Sequence, residues 1–166
     1  QINPFNPSIC LNESIEITAS GAVTYLWSPG DGLNKTTGEK VIASPKITTP
    51  YIVTATDANN CKQEIPFTIT VKPLPSITLD PLSSEICYGK STSITASGAA
   101  SYVWTSSSGI NPIPPSGDKV TVSPLQPTTY KVIGSITHVI GSTNLVCKNT
   151  AEIEINLESE FVRLNF

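Results

Sequence analysis

The stretch Ala-Ser-Gly-Ala-Val-Thr-Tyr-Leu-Trp at residues 19–27 returns as Ala-Ser-Gly-Ala-Ala-Ser-Tyr-Val-Trp at residues 96–104. The same displacement along the chain (96 − 19) also maps Cys10 onto Cys87. Further along the chain the displacement grows, as expected when insertions fall in loops between strands. The sequence is therefore two copies of one structural unit.

The length and composition suit two small domains. The chain has 166 residues, of which 39% are hydrophobic and only 14% charged. The apolar share is enough for packed cores. Domains of this size often need a disulfide or another crosslink for stability. We predict one repeat over residues 1–73, a second over 74–157, and a tail of undetermined role over 158–166.

The charge of the chain argues against two classes of partner. The formal net charge is −3, and Arg163 is the only Arg. Nucleic acids and anionic lipids reward a basic patch, which is missing here. No apolar run approaches the ~18–20 residues that cross a membrane, so this segment should not span one.

Alternating apolar and polar residues dominate both repeats, and Gly, Pro, Asn and Ser interrupt them. Helical signals are nearly absent, so the pattern predicts an all-β fold of antiparallel sandwiches. In the first repeat the residues expected to face inward include Ile17, Trp27, Val41, Val53 and Ile69, and the second repeats the pattern with Ile94, Trp104, Val120, Val132 and Ile155.

The strand order resembles that of an immunoglobulin-like sandwich. The resemblance implies two tandem immunoglobulin-like domains, with a buried Trp in each and a Tyr opening the penultimate strand. The core residues it implies are Trp27, Trp104, Tyr51 and Tyr130. The usual core disulfide is missing, since Val53 and Val132 stand at one of its two positions.

Four segments carry a more specific resemblance: Ile9–Ser14, Ile86–Ser91, Asp57–Cys61 and Pro73–Pro75. In their order along the chain they resemble the tandem Ig-like or PKD-like repeats of Bacteroidota cell-surface proteins. Asn12 and Asn60 depart from it, because glycine is expected at both positions. The resemblance implies an extracellular segment of a bacterial surface adhesin, of the kind used in gliding motility or exported by type 9 secretion. Its expected partners are neighbouring repeats, surface polysaccharide and other cell-surface proteins.

The four cysteines predict disulfide bonds formed in an oxidising compartment. Pairing Cys10 with Cys61 and Cys87 with Cys147 places one bond in each repeat and is the favoured prediction. Sandwich geometry argues against it, because Cys10 and Cys61 should lie toward opposite ends of one domain. The alternative is Cys10 with Cys147, which would leave Cys61 and Cys87 for neighbouring repeats in a longer array. Peptide mapping without reductant distinguishes the two.

Several residues are candidates for recognition. Residues 136–146 are predicted to form either a long recognition loop, with His138, Ile140 and Asn144 as candidate contacts, or a hairpin that only packs on the first repeat. Tyr88 stands near a turn and is a further candidate. Exposed aromatics would suit an accessory carbohydrate-binding module of a secreted enzyme, which is the alternative function. For the aromatic residues near each Trp, core packing is the preferred interpretation.

The sequence contains no arrangement that indicates catalysis or a cofactor. His138 is the only His, and no Ser or Cys with an orienting acid can be assigned to it. Four loop aspartates are candidates for calcium, with turn formation preferred: Asp31, Asp57, Asp80 and Asp118. We therefore expect a non-enzymatic protein without a cofactor.

The linker Lys72-Pro73-Leu74-Pro75 generates a first prediction. Two prolines in four residues favour an extended, semi-rigid spacer. Small-angle scattering from the full chain should show an elongated particle with little motion between the domains. A compact pair that hinges freely would contradict this expectation.

Overall fold

The computed structural model describes residues 1–82, 84–107 and 117–158. All regular structure in this part of the chain is β-strand, which confirms the predicted all-β class. Predictions that fall on the connection 108–116 and on residues 159–166 of the tail lie outside the described residues.

The first repeat contains seven strands in two sheets. One sheet has the order β1-β3-β5 and the other the order β2-β7-β6-β4. The strands are β1 (Ile2–Asn3), β2 (Ser8–Cys10), β3 (Ile15–Ala19), β4 (Thr24–Ser28), β5 (Lys40–Ala43), β6 (Thr49–Thr56) and β7 (Lys62–Lys72).

The second repeat has the same topology. Its sheets have the orders β8-β10-β12 and β9-β14-β13-β11. The strands are β8 (Thr78–Asp80), β9 (Ser84–Cys87), β10 (Thr92–Ser97), β11 (Ser101–Ser106), β12 (Lys119–Val122), β13 (Thr128–Ile140) and β14 (Thr143–Glu158). Two copies of one three-plus-four sandwich confirm the immunoglobulin-like fold class.

Each sandwich departs from a purely antiparallel arrangement at one sheet edge. Strand β2 pairs parallel with β7, and β9 pairs parallel with β14. The cause is that the first segment of each repeat is divided between the sheets, since β1 joins β3 whereas β2 joins β7. The parallel pairs set Cys10 opposite Lys72 and Cys87 opposite Glu158.

A Trp fills the centre of each core. Trp27 is 1% exposed and Trp104 is 3% exposed. Each indole N–H donates to a glycine carbonyl, at 2.8 Å to Gly38 O and 2.9 Å to Gly117 O. This bond satisfies the one polar group of a side chain that otherwise stabilises the core through apolar burial.

The penultimate strands contribute a second buried aromatic residue. Tyr51 and Tyr130 are 0% and 4% exposed. Tyr51 stacks on Phe67 with ring centroids 5.6 Å apart and donates its hydroxyl to Asp31 O at 2.6 Å. Burial raises the pKa of both tyrosines. Val53 and Val132, both fully buried, fill the space between the sheets by packing.

By its internal contacts the chain separates into two compact units. Unit 1 comprises Gln1–Pro73 together with His138–Leu145, and unit 2 comprises Leu74–Thr137 together with Val146–Phe166. Within unit 1, His138 Nε2 lies 3.4 Å from Pro73 O.

The two asparagines that replace expected glycines have left-handed backbone conformations. Asn12 has a φ of 72°, and its counterpart in the second repeat, Gly89, has a φ of 75°. Asn60 has a φ of 63°. Asparagine enters this region more readily than other non-glycine residues, so both turns keep the conformation that glycine would give.

A matched pair of glycines provides a test of the fold. Gly21 and Gly98 are equivalent and have φ values of 95° and 92°. A Cβ on Gly21 would meet no atom within 4 Å, whereas one on Gly98 would collide with the Ser76 carbonyl, lying 2.8 Å from its carbon. Gly21→Ala should therefore cost only backbone strain, about 1–2 kcal/mol.

Gly98→Ala should destabilise unit 2 by about 3 kcal/mol or more, because the backbone must also move. Chemical unfolding followed by tryptophan fluorescence measures both losses, since each repeat contains one Trp. Equal losses for the two variants would contradict the close approach of Gly98 to Ser76.

Candidate functional site

The cysteines occur in two chemical states. Cys10 and Cys147 are disulfide-bonded, whereas Cys61 and Cys87 are exposed free thiols. The favoured prediction of one disulfide within each repeat is therefore wrong. The alternative pairing of Cys10 with Cys147 agrees with these states.

The length of β7 explains why the first repeat cannot close its own disulfide. Cys10 lies opposite Lys72 at the end of β7, and Cys61 immediately precedes the start of this strand. From Cys61 to Lys72 the chain therefore runs the whole length of β7, which is about 35 Å for an extended strand. A disulfide requires Cα atoms within ~7 Å.

The same spacing recurs in the second repeat. Cys87 lies opposite Glu158, and Cys147 precedes Glu158 by as many positions as Cys61 precedes Lys72. The two cysteines of that repeat therefore lie near opposite ends of one sheet as well. Each repeat has one cysteine on its parallel edge strand and another at the far end of the same sheet.

Matching turns hold the edge cysteines. The N–H of Glu13 donates to Cys10 O at 3.0 Å, and the N–H of Lys90 donates to Cys87 O at 3.0 Å. The environments of the side chains differ, because Cys10 is 1% exposed and Cys87 is exposed. Equivalent backbones thus present one buried and one accessible sulfur.

An Asx turn positions Cys61. Asp57 Oδ1 accepts hydrogen bonds from the N–H of Asn59 at 2.8 Å and from the N–H of Cys61 at 2.9 Å. Cys61 also lines an open groove of about 490 Å³, whose walls include Gln1, Ala22 and Gln63. Its counterpart Cys147 is fully buried.

Glu158 raises the pKa of the Cys87 thiol. The thiol donates to Glu158 Oε2 at 3.3 Å, and this hydrogen bond is the main reason that the pKa of Cys87 is raised. The carboxylate also repels a thiolate, which shifts the pKa in the same direction. Sequence reasoning missed Glu158 because only the parallel register of β9 and β14 brings it to Cys87.

The aromatic residues around each Trp do not form a sugar-binding platform. Tyr25 and Tyr102 are both 8% exposed. Their hydroxyls accept from the N–H of Ala22 at 2.7 Å and from that of Ala99 at 2.8 Å. Tyr88, in contrast, is 59% exposed on the turn after β9.

The segment 136–146 is a hairpin, which is the second of the two forms predicted for it. Strand β13 extends to Ile140 and β14 starts at Thr143, so only Gly141 and Ser142 connect them. The apolar residues 136, 139, 140, 145 and 146 continue the strands instead of forming a loop. His138, Ile140 and Asn144 share this hairpin, and Tyr88 lies on a separate turn.

Metal binding finds no support in the part of the chain that the structure describes. No group of three or more His, Cys, Asp or Glu side chains there is arranged to hold an ion. Among the four candidate aspartates, Asp57 uses its carboxylate for the Asx turn described above.

A search of the described residues for membrane-spanning helices finds none that is long and apolar enough.

Comparison with known proteins returns matches among solved structures. No protein-family model matches the chain, and no curated protein matches it. Similar structures include the N-terminal four Ig domains of Dscam1 isoform 1.9, with 11% identity, 95% of this chain covered and a TM-score of 0.37. The corresponding structure of isoform 9.44 has 12% identity, 94% coverage and a TM-score of 0.37.

This chain spans less than half of either structure, 45% and 44% respectively. The likeness is distant and bears on neither partner nor function. The assignment of the fold rests on the sheet topology.

Glu158→Gln should speed the alkylation of Cys87. The substitution removes the carboxylate that raises the pKa of Cys87, so more thiolate is present at any pH below that pKa. Reaction with iodoacetamide at pH 7–8, followed by peptide mass spectrometry, should show a several-fold faster rate at Cys87. Wild type and variant should be alkylated at the same rate when the pH lies above the pKa of Cys87 in both proteins.

Cys61 in the same chain is the internal control, since its rate should not change. An unchanged ratio of the two alkylation rates would show that Glu158 has no influence on the Cys87 thiol.

Proposed function

We propose that this chain is a pair of structural repeats from an extracellular bacterial surface adhesin, of the gliding-motility or type 9 secretion kind. Its role is that of a spacer that holds a binding tip or an anchor away from the cell. An immunoglobulin-like sandwich with a disulfide fits an extracellular protein. The duplicated domain and its proline-rich linker support the spacer role.

The observation that carries this proposal is the burial of the chemically distinctive side chains. The tryptophans, Tyr51 and Tyr130 are all buried, and the polar atoms of the two tryptophans and of Tyr51 bond within their own repeat. Side chains used in this way stabilise a domain and are unavailable to a ligand. We infer a mechanical role without catalysis.

The bonded cysteines add a second line of support. If the bond joins Cys10 to Cys147, as we propose, most of the chain lies inside one covalent loop. A force applied at the two termini then passes through the disulfide, so the chain between the two cysteines cannot be extended. Only β1, part of β2 and the part of β14 after Cys147 carry the load directly. Such a spacer limits its own extension under tension.

Single-molecule pulling of the full chain from its termini tests this role. The oxidised chain should show no extension step as long as an unfolded repeat, because the chain between Cys10 and Cys147 cannot extend. Reduction should permit unfolding of both repeats and add about 450–490 Å of extension, the length of chain between the two cysteines. A variant with Cys10→Ser and Cys147→Ser should behave without reductant as the reduced wild type does.

Full extension of the oxidised chain at low force would contradict the spacer role. The alternative function, a carbohydrate-binding module, predicts retention on a glycan array and loss of that retention in Tyr88→Ala. A spacer should bind no glycan, in either the wild type or the variant.

A further inference from the structure

Each repeat contains two kinds of cysteine that differ in position. Cys10 and Cys87 are edge cysteines, located on the strand that pairs parallel with the last strand. Cys61 and Cys147 are far-end cysteines, located just before the last strand or near its start. Within one repeat the two kinds are about 35 Å apart, so a disulfide must join different repeats.

The states of the four cysteines follow this division. The bonded set consists of one edge cysteine, Cys10, and one far-end cysteine, Cys147. The free set also consists of one of each kind, the edge cysteine Cys87 and the far-end cysteine Cys61. Cys10 and Cys147 come from different repeats, so the remaining two thiols are the complementary halves of the same kind of bond.

Solvent exposure separates the two sets in the same way. The bonded cysteines are buried, Cys10 at 1% and Cys147 at 0% exposure. The free cysteines have the same register in their sheets and are exposed, although Cys61 precedes β7 whereas Cys147 lies within β14. Cys61 also lines an open groove of about 490 Å³ on unit 1. The exposed thiols are therefore the pair that remains accessible for a second bond of the same kind.

We propose that Cys87 of one copy of this chain forms a disulfide with Cys61 of a second copy, head to tail. The contact joins two different surfaces, so every dimer keeps one unused Cys61 and one unused Cys87 and further copies can add to it. This inference deepens the proposed spacer function, on which it rests for its biological setting, by naming a second copy of the same repeat pair as the partner.

The bond forms by thiol–disulfide exchange with glutathione disulfide as the oxidant. The thiolate of one cysteine attacks glutathione disulfide, which gives a protein–glutathione mixed disulfide and releases one glutathione. The thiolate of the second copy then displaces the other glutathione. Two thiol protons are lost, and the two electrons reduce glutathione disulfide to two glutathione molecules. The raised pKa of Cys87 makes this thiol slow as the attacking group.

Two variants with a single free thiol each provide the test. Cys61→Ser retains Cys87, and Cys87→Ser retains Cys61; both substitutions are at exposed positions, so the fold should persist. One variant is labelled with nitrogen-15, and equal amounts are mixed in a glutathione redox buffer. A mixed dimer contains one copy of each variant, and a like dimer contains two copies of the same variant. Non-reducing electrophoresis and peptide mass spectrometry then count the two kinds.

Random pairing would make half of the dimers mixed. We expect the mixed dimer, joined through Cys87 and Cys61, to exceed the like dimers by roughly tenfold or more, because the proposed contact brings an edge cysteine to a far-end cysteine and not two of one kind together. Wild-type chains should form oligomers larger than dimers under the same conditions, and reductant should return them to monomers.

A random distribution, an excess of like dimers, or accumulation of the glutathione adduct alone would overturn the proposal. Peptide mapping of Cys10 and Cys147 in each variant checks that their disulfides have not rearranged. The outcome is separate from the pulling experiment, since one chain can resist extension without pairing with a second copy. Conversely, copies can pair even if the single chain unfolds under force.

Discussion

The rise of an extended β-strand, about 3.3 Å per residue, is the constraint on which the covalent organisation of this protein depends. In both repeats a parallel edge strand places one cysteine at one end of the four-stranded sheet. The other cysteine lies toward the opposite end of the neighbouring strand. No side-chain rotation spans the resulting distance, so neither repeat can form a disulfide within itself.

Packing alone therefore stabilises each sandwich internally. A Trp at the centre, with its indole N–H bonded to a glycine carbonyl, provides a large apolar surface and satisfies its own donor. Valines fill the space where related sandwiches place a disulfide between the sheets. With the core closed in this way, the cysteines are available for bonds outside the repeat to which they belong.

The two repeats differ in the hairpin that joins their last two strands. The second has a much longer final hairpin, whose strands continue to Ile140 and from Thr143. The extra residues are apolar and β-branched in part, which suits extended strands better than a recognition loop. Length and the Gly-Ser-Thr-Asn composition left a loop and a hairpin equally open, and a two-residue turn at Gly141 and Ser142 decides for the hairpin.

The sequence by itself determined the duplication, the β class and the inward-facing set, because a period of two residues and a repeated Tyr-x-Trp motif are local properties. It also indicated the turns, including Asn12 and Asn60, whose side chains tolerate the left-handed conformation that glycine usually supplies. The disulfide partners and the Glu158 contact of Cys87 were decided only in three dimensions. Both depend on which strand neighbours which and in what register, and hydrogen bonding between residues 71 positions apart leaves no local signal in the sequence.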